Sequence, residues 1–363
     1  MPTSVPKRVA HGAMEWACAI LLLVATSAEA AEDGEAQRGV GVLTVAAVGD
    51  IMLGGTATPE LERFGYDYPF ERVGELLRAA DIAFGNLEGP LTERGTPYPK
   101  QYVFRSPPDR VAPALARAGF DVVALANNHS LDYGVEGLRD TIAALERVGI
   151  RYVGAGENLA AARRPALLEA RGVRVAVLAY SLTFPEEFWA TADAPGTAFG
   201  HEEHVRADVA AARRRADVVL VSFHWGGEGT TELRDYQRKL GHAAIEAGAA
   251  AVLGHHPHVL QGVERYRDGV ILYSLGNFVF GSYSRTAVRS VIAFLDIAGG
   301  RVRELRLRPI NVKNVDVVFR PQLLRGADAD ETVRTLQDLS LALGTALENR
   351  DGVAVLRLVG DRR

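Results

Sequence analysis

The densest group of reactive side chains is GHHPHVLQG, residues 254–262, where three of the nine histidines fall within four positions. Imidazoles at 256 and 258, bracketing Pro257, are spaced to share one metal centre, although a polar surface loop would read the same way. Other chemistry-bearing residues are grouped similarly, each just after an apolar run. Gly49-Asp50 follows residues 43–48, Gly85-Asn86-Leu87-Glu88 follows 82–84, and Asn127-Asn128-His129 follows 122–126. Residues 218–222 lead through Phe223 to His224-Trp225-Gly226-Gly227-Glu228. Each group alone is compatible with an ordinary turn. Together, carboxylate, amide oxygen and imidazole make a mixed O/N set suited to Mn, Fe or Zn. A pair of such ions roughly 3.5–4 Å apart activates water and clamps the leaving oxygen in phosphoryl chemistry. A neighbouring histidine outside the ligand set can then serve as general acid.

These groups run from position 50 to position 258, so the fold has to bring them together. Hydrophobic runs predict strands over 43–48, 82–85, 122–126, 173–180, 218–222 and 250–253. Helices are expected between them, over 70–79, 109–118, 135–148, 204–215 and 233–247. Within 135–148, Leu138, Ile142, Leu145 and Val148 recur at three- and four-residue steps, which is one face of a helix. Strand alternating with helix predicts an α/β sandwich with parallel pairing. In such sheets ligands bind beyond the carboxyl ends of the strands, where these polar groups fall. From 259 to 307 the style changes, and segments 259–265, 270–274, 288–296 and 302–307 read as successive antiparallel strands. A helix over 330–343 and a strand over 353–359 finish the chain.

The 41 basic and 45 acidic residues among 363 nearly cancel, leaving −4. That balance gives no global pull toward nucleic acid or anionic lipid, and nucleic acid is not an expected partner. The first thirty residues differ from the rest. Lys7 and Arg8 precede an apolar run over 16–25, and Ala28-Glu29-Ala30 supplies a small-x-small cleavage site. This is the layout of a cleavable signal peptide, implying a periplasmic or extracellular protein, with a retained N-terminal membrane anchor as the alternative. The run is well short of the ~20 residues a spanning helix needs. Residues 31–41 read as a flexible lead-in. The single cysteine, Cys18, lies in the segment to be removed, which leaves no thiol for a disulfide, a nucleophile or a ligand.

Six motifs in order resemble the CapA-type capsule-synthesis proteins, associated with poly-γ-glutamate and built on a calcineurin-like metallophosphoesterase fold. They are Val48-Gly49-Asp50-Ile51-Met52-Leu53, Gly85-Asn86-Leu87-Glu88-Gly89, Leu125-Ala126-Asn127-Asn128-His129, His224-Trp225-Gly226, residues 254–262, and Tyr273-Ser274-Leu275-Gly276-Asn277-Phe278. The resemblance spans about residues 43–310 and implies a four-layer αββα sandwich over 42–310, with 311–363 as a helix-and-strand extension packed on it. It also implies that Asp50, Glu88, Asn128, His224, His256 and His258 hold one or two divalent ions, with Glu88 bridging and His129 as general acid. Two positions depart from the pattern: Met52 stands where typical metallophosphoesterases have a histidine, and Asn86 where they have aspartate. Lys100 and Arg105 offer cations to an anionic substrate, Asn277 is expected to line the same edge, and Glu228 to orient a ligand imidazole. His201 and His204 lie in a segment bounded by Pro and Gly and are not expected to be ligands.

Two functions fit. One is an exported metal-dependent hydrolase or transferase acting on a polyanion, either poly-γ-glutamate or a phosphorylated envelope glycan. The other is a non-catalytic subunit that binds the polymer and hands it on during export, with membrane proteins of capsule synthesis as candidate partners. The signal-peptide reading is checked by N-terminal sequencing of exported protein, which should begin at Ala31; Met1 retained in a membrane fraction would refute it.

Overall fold

A computed structural model of the chain describes residues 41–358, so the expected signal peptide, nearly all of the lead-in and Val359 lie outside the described residues. Strands β1 (Leu43–Met52), β2 (Ile82–Leu87), β3 (Val122–Ala124) and β4 (Arg151–Val153) pair in parallel in that order. Next come β5 (Ala155–Gly156), β6 (Ala166–Ala170), β7 (Val173–Ser181) and β8 (Gly196–Thr197), of which β5 and β8 form a separate ribbon. With β9 (Val218–His224), β10 (Ala251–His255), β11 (Val263–Tyr266) and β12 (Gly269–Leu272) the chain completes a six-stranded sheet ordered β11-β12-β10-β9-β7-β6. The chain then returns to the first sheet with β13 (Asn277–Phe280), β14 (Arg289–Ala298), β15 (Arg301–Asn311), β16 (Gln322–Leu323), β17 (Glu348–Arg350) and β18 (Val353–Arg357). That sheet has ten strands, ordered β17-β18-β15-β14-β1-β2-β3-β4, with β13 beside β1 and β16 beside β15.

The two sheets face each other, and each carries helices on its outer face. Leu43, Val45 and Ala47 of β1 point into the inter-sheet core with Val175, Val177, Leu220 and Leu253 from the opposite sheet. Ala46 and Val48, on the alternate face, pack with Val111 and Leu115 of helix Pro108–Ala118 and Leu138 and Leu145 of helix Gly134–Arg147. On the far side, Leu178 and Val221 meet Val205 and Val209 of helix Glu202–Arg213 and Leu240 and Ala244 of helix Asp235–Glu246. This is the expected four-layer αββα sandwich. Because both faces of β1 are covered, its strand reads as a near-continuous apolar run, interrupted by Thr44 and Asp50, and not as an alternation. Helix Gly326–Leu341 inserts Val333 and Leu336 into the inter-sheet core, and β18 pairs with β15.

One expectation needs correcting. The segments after residue 259 are not one antiparallel succession. β11 and β12 form a hairpin in the six-stranded sheet, where β12 also runs parallel to β10. β13 crosses to the other sheet and lies parallel to β1, and only then does the β14–β15 hairpin follow. The crossing is made by Ser274-Leu275-Gly276, and its backbone bonds both sheets. Leu275 N donates to Gly254 O at 3.1 Å, and Asp50 N donates to Gly276 O at 3.0 Å.

Such close contact needs glycine. A Cβ on Gly49 would lie 1.8 Å from Gly276 O, and one on Gly254 would lie 2.0 Å from Tyr273 O. Both clashes are with backbone, which cannot swing aside as a side chain would. Overpacking typically costs 1–3 kcal/mol and more where nothing yields, so Gly49→Ala should remove about 3 kcal/mol or more of stability. A urea unfolding curve with an unchanged midpoint would show that this crossing is looser than described.

Candidate metal centre

Parallel pairing puts the carboxyl ends of β1, β2 and β3 on one edge of the first sheet and those of β9 and β10 on one edge of the second. Asp50 lies near the end of β1, Glu88 directly after β2, and Asn128 and His129 in the turn beyond β3. His224 is the last residue of β9, and His256 and His258 follow β10. The crossing at residues 274–276 holds the two edges together. Ligand atoms from Asp50, Glu88 and His224 lie within 4.8 Å of one another, as do atoms from Glu88, His256 and His258. Glu88 belongs to both sets, as a bridging carboxylate must. Asn128 Oδ1 faces His224 Nε2 at 2.7 Å and so adds an amide oxygen to the same cluster.

The donor set suits a cation on two further grounds. Glu88 Oε1 and His256 Nδ1 are buried and have no hydrogen-bond partner among the described residues. An unsatisfied buried polar atom costs roughly 1–3 kcal/mol, and more when charged, and an ion between these groups would remove that penalty. His256 and His258 also adopt left-handed backbone angles, with φ of +93° and +60°. For residues other than glycine, such angles cost on the order of 1–3 kcal/mol each and cluster at functional sites. The strained turn is held by His256 N donating to Asp50 Oδ2 at 3.2 Å and by Gly229 N donating to Pro257 O at 2.9 Å.

The charges are arranged unevenly. Burial pushes the Glu88 carboxyl well above the ordinary carboxylate range, and the charge of Asp50 adds to this. Burial would raise Asp50 too, yet its hydrogen bond and attraction to His258 keep it below the usual value. Burial, with the neighbouring histidines, holds His224 well below its normal range and brings His256 down to about 3. His258 behaves oppositely: burial works against its charge, but Glu88 and Asp50 carry it to about 9. Its Nδ1 lies 3.1 Å from Asp50 Oδ2 and 2.9 Å from Asn277 Oδ1, leaving Nε2 toward Glu88 Oε1 at 3.8 Å.

Residues 44–282 match the family model described as bacterial capsule synthesis protein PGA_cap. The chain belongs to this family. It is 36% identical over 285 residues to the capsule biosynthesis protein CapA of Bacillus anthracis, covering 74% of this chain and 69% of that one. It is 35% identical over 261 residues to the PGA biosynthesis protein CapA of Bacillus subtilis (strain 168), covering 70% and 67%. A hypothetical protein from Thermus thermophilus shares the fold at 17% identity and a TM-score of 0.50, over 74% of this chain and 100% of that one.

Lys100, Arg105 and Glu228 sit differently from their expected roles. Lys100 pairs with buried Asp132 at 2.6 Å and donates to Asn128 O at 2.5 Å, so its charge is already neutralised inside the protein. The Arg105 guanidinium lies over the Tyr133 ring at 4.7 Å and donates to Glu93 O. Asn277, the first residue of β13, stands at the site edge, where its amide oxygen faces His258 and fixes that imidazole. Glu228 is exposed and reaches the centre only through its field, which raises Glu88 and His258.

Residues outside the expected set also matter here. Asn86 Nδ2 donates to Asp50 Oδ1 at 2.8 Å and to Glu88 Oε2 at 3.2 Å, holding two carboxylates that would repel each other. Asn127 fixes Asn86 by donating to its Oδ1 at 3.1 Å. Asp132 accepts from Phe104 N and faces His129 Nδ1, both at 2.7 Å. His255 is buried against Val48 O and Ser222 and plays a structural part. Met52 fills apolar space, its methyl lying 3.2 Å from where a Cβ on Gly55 or Gly281 would be.

Metal affinity should depend on pH with a definite sign. Below about 9 the free site carries a proton on His258, which an incoming ion must displace. Titration calorimetry with Mn or Zn near pH 7.5, in buffers of differing ionisation enthalpy, should report net proton release, from His258 and from the raised Glu88 carboxyl, and affinity should weaken as pH falls. Zero proton release would contradict the protonated His258. His256→Ala should lower metal stoichiometry by elemental analysis while far-UV circular dichroism stays unchanged. Unaltered metal content would leave residues 254–262 as a buried structural turn with no part in metal binding.

Proposed function

We propose that this exported protein takes part in making a capsule or poly-γ-glutamate-type envelope polymer, through metal-dependent hydrolase-type chemistry on a polyanionic substrate. The observation that carries the chemical half is Glu88: a fully buried carboxylate, common to both ligand sets, with one oxygen unpartnered. Membership of the capsule-synthesis family and the names of the Bacillus relatives support the biological half. Export to the periplasm or beyond rests on the signal-like start of the sequence. Among the described residues no helix is long and apolar enough to cross a membrane.

Asp50, Glu88, Asn128, His224, His256 and His258 would hold the ions, which supply Lewis-acid activation of water and of the leaving oxygen when bound. His129 carries the proton in this reading. Asp132 holds its Nδ1, leaving Nε2 as the atom that exchanges a proton with the leaving group. Burial lowers the His129 pKa, against the hydrogen bond and charge of Asp132, which favour its protonated form. Phe104, with its ring 4.6 Å from His129, shields that face from water.

A second reading, a polymer-binding subunit with a structural ion, is favoured by Met52, whose packing removes one imidazole from the typical set. His129→Ala separates the two. The hydrolase reading expects a roughly 10²–10⁴-fold loss of turnover on the best substrate from a screen of phosphoesters and γ-glutamyl polymers. Metal content and polymer affinity should persist, because the lost group acts mainly in the transition state. Wild-type protein that binds metal and polymer yet turns over nothing in that screen would overturn the hydrolase reading in favour of the subunit.

A further inference from the structure

An acidic polymer has to approach an edge that already carries Asp50, Glu88 and Glu228, so a free cation is needed at the rim. Near the Glu88 loop, Arg94 is paired with Glu136 and Asp140 and Lys100 with Asp132, while Arg105, exposed and without a carboxylate partner, is laid on the Tyr133 ring and bonded to Glu93 O. Arg234 is different. It is exposed, and no carboxylate among the described residues pairs with it. Its Nη2 and Nε lie 3.1 and 3.6 Å from where a Cβ on Gly227 would be, so the guanidinium rests against the side-chain-free backbone just after His224-Trp225. The same turn is bonded through Gly229 N to Pro257 O, between His256 and His258. The loop bearing the cation is thus bonded to the turn carrying His256 and His258, and its charge reaches His256.

The backbone at Arg234 is rigidly held from below. Arg234 N donates to Gln237 Oε1 at 2.9 Å, and Gln237 Nε2 donates to Gln261 Oε1 at 3.0 Å. Gln261 Nε2 in turn donates to Thr230 O at 3.0 Å. Both glutamines are almost completely buried, at 0% and 1% exposure. Gln261 belongs to the same nine-residue stretch as the two histidines, so the relay ties the loop bearing Arg234 to the metal turn. A buried, satisfied polar relay beneath an unpaired surface arginine lowers the entropy cost of seating a ligand. The guanidinium fork matches a carboxylate.

We infer that Arg234 is a substrate-binding residue that takes the free carboxylate of an acidic polymer unit next to the bond lying over the metals. This rests on the polyanion reading proposed above and adds the residue that recognises the charge.

The test uses full-length, metal-loaded protein and two probes, a γ-linked glutamate oligomer and its carboxamide counterpart, a γ-linked isoglutamine oligomer in which each free α-carboxylate is replaced by a carboxamide. Fluorescence anisotropy should show wild type preferring the acid by about tenfold, the scale of one charge-assisted contact. Arg234→Ala should abolish that preference while metal content stays at the wild-type level. Arg234→Lys should retain part of it, because the charge remains and the fork is lost. Arg174→Ala, which removes a cation paired elsewhere with Asp217, should leave the preference intact. An Arg234→Ala protein that still favours the acid by the full margin overturns the inference and leaves the polymer reading standing. Wild type that binds neither oligomer overturns the polymer reading, and this inference falls with it.

Discussion

The centre depends on one close approach, the passage of residues 273–276 between β1 and β10. No side chain could occupy the positions of Gly49 and Gly254 without striking its backbone. Because that passage is tight, Asp50 on one sheet comes within hydrogen-bond distance of His256 N and His258 Nδ1 on the other. It also sets the register of β13, which pairs Asn277 with Asp50. Sheet packing, turn geometry and ligand orientation are thus one constraint expressed three ways.

Once the edges meet, electrostatics becomes the difficulty. Two carboxylates fully removed from water would repel each other in a medium of low dielectric. The chain compensates with Asn86, a neutral donor that bonds both, and with His258, which holds a proton well above its usual pH. Substituting the aspartate of typical metallophosphoesterases at position 86 would replace that donor with a third negative charge. The combination of Asn86 and Glu88 therefore has a physical logic: it keeps one acid common to both clusters and uses an amide to steady it.

Much of this was legible in the sequence. Buried strands announce themselves as apolar runs, and the polar residues just after them marked the edge where the centre forms. The strands β4 and β6 were not legible, because Arg151 and Glu169 give these edge strands a mixed, partly exposed composition. The expected helix over 70–79 breaks into a 3-10 turn at Tyr68–Phe70 and a short helix at Gly74–Arg78, with Val73 between them at φ −129°. The internal pairing of Lys100 and the ring contact of Arg105 were hidden for one reason: charge on a loop says nothing about whether a partner is buried nearby. A clue was available, since Asp132 follows His129 by three residues in Asn-Asn-His-Ser-Leu-Asp. Relays such as Gln237–Gln261 join residues through a shared turn and have no signature in spacing.

The order in which the chain supplies its strands has a consequence for biogenesis. β1 is the first described strand to be made, yet it sits mid-sheet with one side open until β13 and β14 arrive. The inter-sheet core is not filled until helix Gly326–Leu341 adds Val333 and Leu336. A nascent chain of this design stays unclosed through most of its translation, with apolar strands exposed to holding chaperones. The packing of its inter-sheet core is complete only once the last described helix and strands have been made.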